Sequence, residues 1–146
     1  ITVFVAGHAN LHPCLGCGAC GMSGPCVQKA ELVALREQLL TCDAAVFVTP
    51  LYYFGFSTQL KTVIDRFYSF NGQLTAKGLK TVLIVAAWDS NDWTMRDIKA
   101  HYETLCSYLN FQNQGEILGV GCGTVEMTKH TRFPREAYLL GKQIGG

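Results

Sequence analysis

The 146-residue chain has little charge and no long apolar run, and both features narrow the classes of protein to which it can belong. Charged residues make up 16% of the sequence and the net charge is +1, so the basic surface typical of nucleic-acid-binding and membrane-surface proteins is missing. No apolar run approaches the length of a membrane span, and no signal peptide is visible. We therefore expect a cytoplasmic protein with no nucleic-acid or membrane partner.

The sequence also has no internal repeat, low-complexity tract or linker, and its length fits one domain with a substantial core. We therefore expect a single domain over residues 1–146. Its seven cysteines are an odd number with four close together, which is not the pattern of a secreted disulfide framework. In a reducing compartment such a cluster indicates metal or redox chemistry.

A strand, a loop and a helix follow one another without interruption over residues 44–67. The apolar run from Ala44 to Val48 is typical of a strand covered on both faces, and Pro50 ends it. After the loop, Ser57 is a good N-cap residue. Apolar residues then recur at helical spacing, at Leu60, Val63, Ile64 and Phe67. The pattern predicts a strand whose loop leads directly into a helix.

The rest of the chain repeats this alternation. Strands are predicted at 1–6, 81–87 and 116–120, helices at 30–40, from Asp92 or Thr94 to Leu109 and at 134–144, and loops at 7–28 and 71–78. Strands that alternate with helices predict a parallel sheet with helices on both faces, which is a three-layer α/β/α architecture.

The loop from Thr49 to Gly55 follows a predicted strand, at the sheet edge where open parallel sheets bind ligands. Its large apolar side chains are typical of a surface that covers a flat ligand or a partner. They are Leu51, Tyr52, Tyr53 and Phe54, with Phe56 directly after the loop. The alternative is that these side chains only fill the gap between the loop and the core.

Four cysteines have the spacing C-x2-C-x2-C-x5-C. They are Cys14, Cys17, Cys20 and Cys26. Three close thiolates and a fourth a few residues later can ligate one 4Fe-4S cluster, and intervening glycines let the backbone fold around it. Zinc is a competing metal, although structural zinc sites more often use two separated pairs. A cluster of free thiols is the third alternative. The other cysteines, Cys42, Cys106 and Cys122, are predicted to be small core residues.

Two of these stretches, Thr49 to Tyr68 and Pro13 to Cys26, resemble the NAD(P)H-dependent FMN reductase and iron-sulfur flavoprotein family, which has a flavodoxin-like fold. The resemblance implies an FMN-dependent oxidoreductase that takes hydride from NAD(P)H and passes electrons to an unknown acceptor. The alternative that it implies is an electron carrier with a 4Fe-4S cluster on the four clustered cysteines. Aligned with the family, residues 1–6 fall on its second strand, so we expect the first strand, the phosphate loop and the first helix to precede residue 1. The alternative is that residues 1–6 are themselves the central strand and that the cysteine stretch replaces the phosphate loop.

The resemblance also implies that FMN contacts two loops of this chain. The first supplies Thr49, Pro50, Leu51, Tyr52, Tyr53, Phe54 and Gly55, and the second supplies Ala87, Trp88, Asp89 and Ser90. The contacts are expected to be backbone amides at the edge of the flavin ring and aromatic side chains over its faces, with no catalytic acid or base. The apolar surface of the aromatic loop and the cysteine stretch further predicts a homodimer.

Overall fold

The computed structural model describes residues 1–28 and 31–145. Within these residues the strands are β1 (Ala44–Pro50), β2 (Lys80–Ala86) and β3 (Gln112–Gly119). The helices are α1 (Leu32–Thr41), α2 (Thr58–Arg66), α3 (Asn71–Lys77), α4 (Arg96–Leu109), α5 (Val125–Lys129) and α6 (Phe133–Gly145), and a 3₁₀ turn at Phe67–Phe70 joins α2 to α3.

The three strands form one parallel sheet in the order β1-β2-β3. Phe47 is paired with Leu83, and Leu83 is paired in turn with Glu116. Helices α1 to α4 lie on one face of the sheet. Helix α6 packs on the opposite face, against β3, where Leu140 lies next to Gly115. The prediction of an α/β fold with a parallel sheet between helices is therefore confirmed, and all three strands end at the same edge.

The core lies between the sheet and helices α1 to α4. Phe47 is at its centre, with ring centroids 6.3–6.4 Å from those of Phe67, Tyr102 and Phe111. The hydroxyl of Tyr102 donates to Thr81 Oγ1 over 2.8 Å, and burial raises the pKa of Tyr102 above its ordinary value. The helix predicted to end at Leu109 is thus confirmed, but it begins at Arg96, and neither Asp92 nor Thr94 is its N-cap residue.

The predicted passage from strand to helix is also confirmed. Ser57 caps α2, since its Oγ accepts from the backbone N–H of Leu60 over 3.4 Å. The hydroxyl of Thr49 accepts from the N–H of Ser57 over 3.1 Å and donates to the carbonyl of Pro50 over 2.8 Å. The end of β1 and the start of α2 are therefore joined through one buried side chain.

Two predictions about strands are wrong. Residues 1–6 are not a strand, because no other part of the described chain pairs with them and a strand depends on a partner's hydrogen bonds. The prediction that β1 is covered on both faces fails at Val46 and Val48, which are 50% and 66% exposed. These two side chains are exposed because α6, the helix on their face of the sheet, packs on β3, which is at the opposite end of the sheet from β1.

Residues 71–78 were predicted to be a loop, and that prediction is wrong as well. They contain α3, which buries Leu74 completely and ends at Gly78, whose φ is +60°. The sequence of this segment is mostly polar and has only one buried side chain, Leu74, so it shows no apolar periodicity that would predict a helix. The predicted start of the first helix at Ala30 lies outside the described residues. Among the described helices, none has the length and apolar character needed to span a membrane.

Candidate functional site

The loop after β1 is a tight turn closed by two backbone hydrogen bonds. The N–H of Tyr52 donates to the carbonyl of Gly55 over 3.2 Å, and the N–H of Gly55 donates back over 3.1 Å. The central residues, Tyr53 and Phe54, have φ angles of +45° and +65°. Asn and Gly usually occupy such positions, and a bulky residue there costs about 1–2 kcal/mol. Backbone strain of this kind is typical of ligand-binding sites.

The turn presents backbone donors and an aromatic ring to solvent. Within the described residues, the N–H groups of Tyr53 and Phe54 have no hydrogen-bond acceptor. The side chain of Tyr53 is fully exposed. The N–H of Leu51 donates to the carbonyl of Ala86 over 2.8 Å, which holds the loop against the end of β2. The turn is therefore attached to the sheet at Leu51, whereas Tyr53 and Phe54 are accessible to a ligand.

The loop after β2 is organised by Asp89. Its carboxylate accepts from the hydroxyl of buried Thr94 and from Nδ2 of Asn91, the latter over 2.7 Å. The hydrogen bond from Thr94, and then that from Asn91, hold the pKa of Asp89 below its ordinary value. Because both partners of the carboxylate belong to the same loop, Asp89 stabilises the conformation of this loop. The neighbouring Ser90 is exposed.

The two predicted loops lie side by side. The ring centroids of Phe54 and Trp93 are 5.3 Å apart, with an angle of 55° between the ring planes. Trp88, in the second loop, is exposed. We name this surface, formed by residues 49–55, 87–94 and 119–124, the aromatic edge. It combines a flat apolar area with free backbone donors at the carboxyl edge of a parallel sheet.

The third loop of the aromatic edge was not assigned any role from the sequence. A Cβ on Gly123 would lie 2.1 Å from Cε3 of Trp88, so the indole packs directly on the Gly123 backbone. The N–H of Cys122 donates to the carbonyl of Ala87 over 2.7 Å, and that of Gly121 to the carbonyl of Asp89 over 3.1 Å. The signal for this loop was the Gly-Cys-Gly run that follows the last strand.

The residues predicted to contact a flavin differ in exposure. Thr49 and Ala87 are buried and support the loops from below, whereas Tyr52, Tyr53, Phe54 and Trp88 are exposed. Pro50, Leu51, Gly55, Asp89 and Ser90 are partly or fully exposed and lie between them. Phe56 is buried against His101, with a centroid distance of 4.9 Å, so for this one side chain the packing alternative is correct.

The four clustered cysteines lie on a segment without helix or strand, residues 12–28, which we name the cysteine loop. Cys14 and Cys17 are exposed, Cys20 and Cys26 are half-buried, and all four are free thiols. In the described part of the chain, no three Cys, His, Asp or Glu side chains converge as a metal site. The glycines at positive φ, Gly16, Gly18 and Gly21, let the backbone turn between the cysteines.

Arg66, at the end of α2, ties the cysteine loop to the core. Its side chain is only 1% exposed. Nη1 donates to the carbonyl of His12 over 2.7 Å, and Nη2 donates to Sγ of Cys26 over 3.2 Å and to the carbonyl of Gln28. The sequence assigned no role to this residue. On the exposed face of the same helix, Asp65 forms an ion pair with Lys61.

This geometry can be compared with known proteins. The model of the NADPH-dependent FMN reductase family matches residues 2–120. The chain belongs to the NADPH-dependent FMN reductase family. The family resemblance predicted from the two sequence stretches is thereby confirmed.

Curated relatives agree with the assignment. An iron-sulfur flavoprotein of Archaeoglobus fulgidus is 37% identical over 69 residues, which are 47% of this chain and 31% of that protein. The chain spans about a third of the length of the iron-sulfur flavoproteins it matches.

Two solved structures share the fold. General stress protein 14 of Treponema denticola, in complex with FMN, has a TM-score of 0.63 at 16% identity, covering 80% of this chain and 74% of that one. The Trp repressor binding protein of Bacillus subtilis has a TM-score of 0.60 at 23% identity, covering 75% of each chain. At these identities the likeness establishes the flavodoxin-like fold.

The aromatic edge of this family member fits a flavin. An isoalloxazine ring needs hydrogen-bond donors at its electronegative edge and flat apolar contacts on its faces. The free N–H groups of Tyr53 and Phe54 are available as donors of this kind, and the exposed rings of Tyr53 and Trp88 are available as apolar contacts. The donor set of the cysteine loop fits an iron-sulfur cluster chemically, whereas its cysteines are not gathered around one point.

Proposed function

We propose that the protein is an FMN-dependent oxidoreductase that takes hydride from NAD(P)H and passes electrons to a separate acceptor. The observation that carries the proposal is the strained turn at Tyr53 and Phe54, which has two free N–H groups and whose Phe54 ring contacts Trp93. Membership of the FMN reductase family supports it. FMN in the complex of the Treponema denticola protein supports the choice of flavin.

FMN, when bound, supplies the hydride and electron chemistry. The contribution of the chain is to bind and orient it. The N–H groups of Tyr53 and Phe54 would donate to the ring edge where negative charge accumulates, and Trp88 and Tyr53 would exclude water from the faces of the ring. The side chain of Thr49 and the backbone N–H of Ala87, which donates to the carbonyl of Gly119, keep the two loops in place. The remaining proposed contact residues are Pro50, Leu51, Tyr52, Gly55, Asp89 and Ser90.

The test is an FMN titration combined with an assay of NADPH and NADH oxidation. The double variant Tyr52→Ala, Tyr53→Ala is expected to weaken FMN binding by roughly 1–3 kcal/mol, because aromatic contacts are lost and backbone donors remain. The control is Tyr108→Ala, which removes an exposed ring from the last turn of α4 at the opposite edge of the sheet. Equal FMN affinity in both variants would show that the aromatic loop only packs.

We further propose that the protein is a cytoplasmic homodimer. The exposed apolar side chains of the aromatic edge, including Tyr52, Tyr53 and Trp88, support association of two copies. Light scattering at micromolar concentration is expected to give twice the chain mass. A monomer mass under these conditions would count against the dimer.

A second candidate function is electron transfer through a 4Fe-4S cluster held by Cys14, Cys17, Cys20 and Cys26. The compact cysteine spacing and the names of the archaeal iron-sulfur flavoprotein relatives favour it. Anaerobically prepared protein is expected to contain about four iron and four sulfide per chain. Cys17→Ser should release or convert the cluster while FMN remains bound. Anaerobic protein without iron would remove this second function and leave the first intact.

A further inference from the structure

Thr49, the residue before the aromatic loop turns away from β1, carries a buried hydroxyl. Its side chain is only 2% exposed. A hydroxyl in such a place must find its hydrogen-bond partners inside the protein, because an unpaired buried polar group is strongly destabilising. The partners of this hydroxyl therefore show which part of the structure depends on it.

The hydroxyl of Thr49 has one partner at each end of the loop between β1 and α2. It donates to the carbonyl of Pro50 over 2.8 Å and accepts from the backbone N–H of Ser57 over 3.1 Å. Ser57 is the N-cap residue of α2 and is itself only 6% exposed, so water is a poor substitute for this acceptor. One side chain thus bridges the start and the end of the loop.

The strained turn lies inside the bridged segment. Tyr53 and Phe54 have φ angles of +45° and +65°, and their N–H groups have no acceptor in the described part of the chain. Two backbone hydrogen bonds between Tyr52 and Gly55 close the turn itself, and the hydroxyl of Thr49 closes the loop around it. Strained backbone persists only where the surrounding structure fixes it, and this hydroxyl is one of the contacts that do so.

We propose that Thr49 is a positioning residue for FMN, whose hydroxyl holds the backbone donors of Tyr53 and Phe54 where the flavin ring requires them. The inference rests on the FMN function proposed above. The hydroxyl acts through the loop and does not itself touch the flavin. Because hydrogen bonds at the ring edge tune the electronics of a flavin, displaced donors should change both the affinity for FMN and the absorption spectrum of the bound flavin.

The test compares isosteric substitutions of two buried strand threonines. Thr49→Val keeps the shape of the side chain and removes both hydrogen bonds, so FMN binding is expected to weaken about tenfold and the flavin spectrum to change. Thr49→Ser keeps the hydroxyl and should retain most of the affinity and the wild-type spectrum. FMN titration followed by absorption measures both quantities.

The matched control is Thr81→Val. Thr81 is completely buried at the start of β2, at the sheet edge opposite the aromatic edge, and its Oγ1 accepts from the hydroxyl of Tyr102 over 2.8 Å. Both valine variants should lower the melting temperature, because each loses a buried hydroxyl. Only Thr49→Val should weaken FMN binding, which separates positioning from general stability.

A second readout needs no flavin. The ring of Phe54 lies 5.3 Å from that of Trp93, so a displaced loop should alter the tryptophan fluorescence of flavin-free Thr49→Val and leave that of Thr81→Val unchanged. Thr49→Ser should again match the wild type.

Weaker FMN binding and altered fluorescence in Thr49→Val alone support the positioning role. Wild-type affinity in Thr49→Val, or an equal loss of affinity in Thr81→Val, overturns it. If Thr49→Val does not fold, Thr49→Ser still decides, because FMN binding as weak as about tenfold below wild type despite its hydroxyl would also overturn the role. Wild-type protein that binds no FMN overturns the proposed function itself, so the wild-type titration distinguishes the two failures.

Discussion

The aromatic edge and the cysteine loop differ in what holds them in shape. Backbone hydrogen bonds link the three loops of the aromatic edge to the strand ends, at Leu51 to Ala86, Ala87 to Gly119 and Cys122 to Ala87. The cysteine loop has short local bonds, such as Gly24 to Cys20, and joins α2 through the side chain of Arg66. The main chain therefore preorganises one region, whereas one side chain orders the other.

The composition of the chain allows the two regions to be observed separately. Both tryptophans, Trp88 and Trp93, lie in the aromatic edge. Four of the seven cysteines lie in the cysteine loop, and Cys106 and Cys122 are buried elsewhere. Intrinsic fluorescence therefore reports on the aromatic edge, and the rate of thiol labelling reports mainly on the cysteine loop.

The largest effect is expected from Arg66→Met, which should separate the two regions. It removes three hydrogen bonds from a buried charged donor, and each such bond contributes about 1.5–3 kcal/mol, so we expect a non-additive loss of about 2–4 kcal/mol. Thiol labelling of metal-free protein should accelerate and limited proteolysis should cut within residues 12–28. Tryptophan fluorescence should stay close to wild type. A simultaneous change in fluorescence would show that the regions are not independent.

A smaller effect is expected from Gly123→Ala, which acts on the aromatic edge alone. The new Cβ would lie 2.1 Å from the ring of Trp88, so the indole must move away from its present position, at a cost of about 1–3 kcal/mol. Tryptophan fluorescence should shift and FMN affinity should fall, while thiol labelling is unchanged.

The control for this variant is Gly141→Ala, in a part of α6 where a Cβ meets nothing within 4 Å. Alanine is a better helix former than glycine, so this control should stabilise the protein by about 0.5–1 kcal/mol. Equal behaviour of the two alanine variants would contradict the packing of Trp88 on Gly123.

The same contrast explains which features the sequence could predict. Local sequence patterns predicted strands β1 to β3, helix α4 and the Ser57 cap, because each depends on residues close together in the chain. Arg66 and Gly123 could not be found in this way, since their contacts lie 38–54 and 35 residues away. The strand predicted at residues 1–6 failed for a related reason, because local β-propensity does not supply a pairing partner.

The strained turn offers a third way to test the preorganisation of the aromatic edge. Replacing Tyr53 with Asn and Phe54 with Gly places the favoured residues at both positions of positive φ, and should stabilise the fold by about 1 kcal/mol. FMN affinity should nevertheless fall, because Phe54 no longer contacts Trp93 and the ring of Tyr53 is gone. Thermal denaturation and FMN titration measure the two effects. Higher stability with unchanged affinity would mean that the backbone donors alone bind the flavin.

The smallest expected effect is an acid-dependent loosening of the aromatic edge through Asp89. Hydrogen bonds from Thr94 and Asn91 lower its pKa from the ordinary value of 3.8, so the folded state binds this proton less readily than the unfolded state. The resulting stabilisation is complete above the ordinary pKa and is lost as the pH falls through the lowered one. Tryptophan fluorescence should therefore change below about pH 4. Asp89→Asn should remove this step, whereas Asp97→Asn, which alters an exposed pair with Arg96 on α4, should retain it. A step that persists in Asp89→Asn would assign the acid transition to another group.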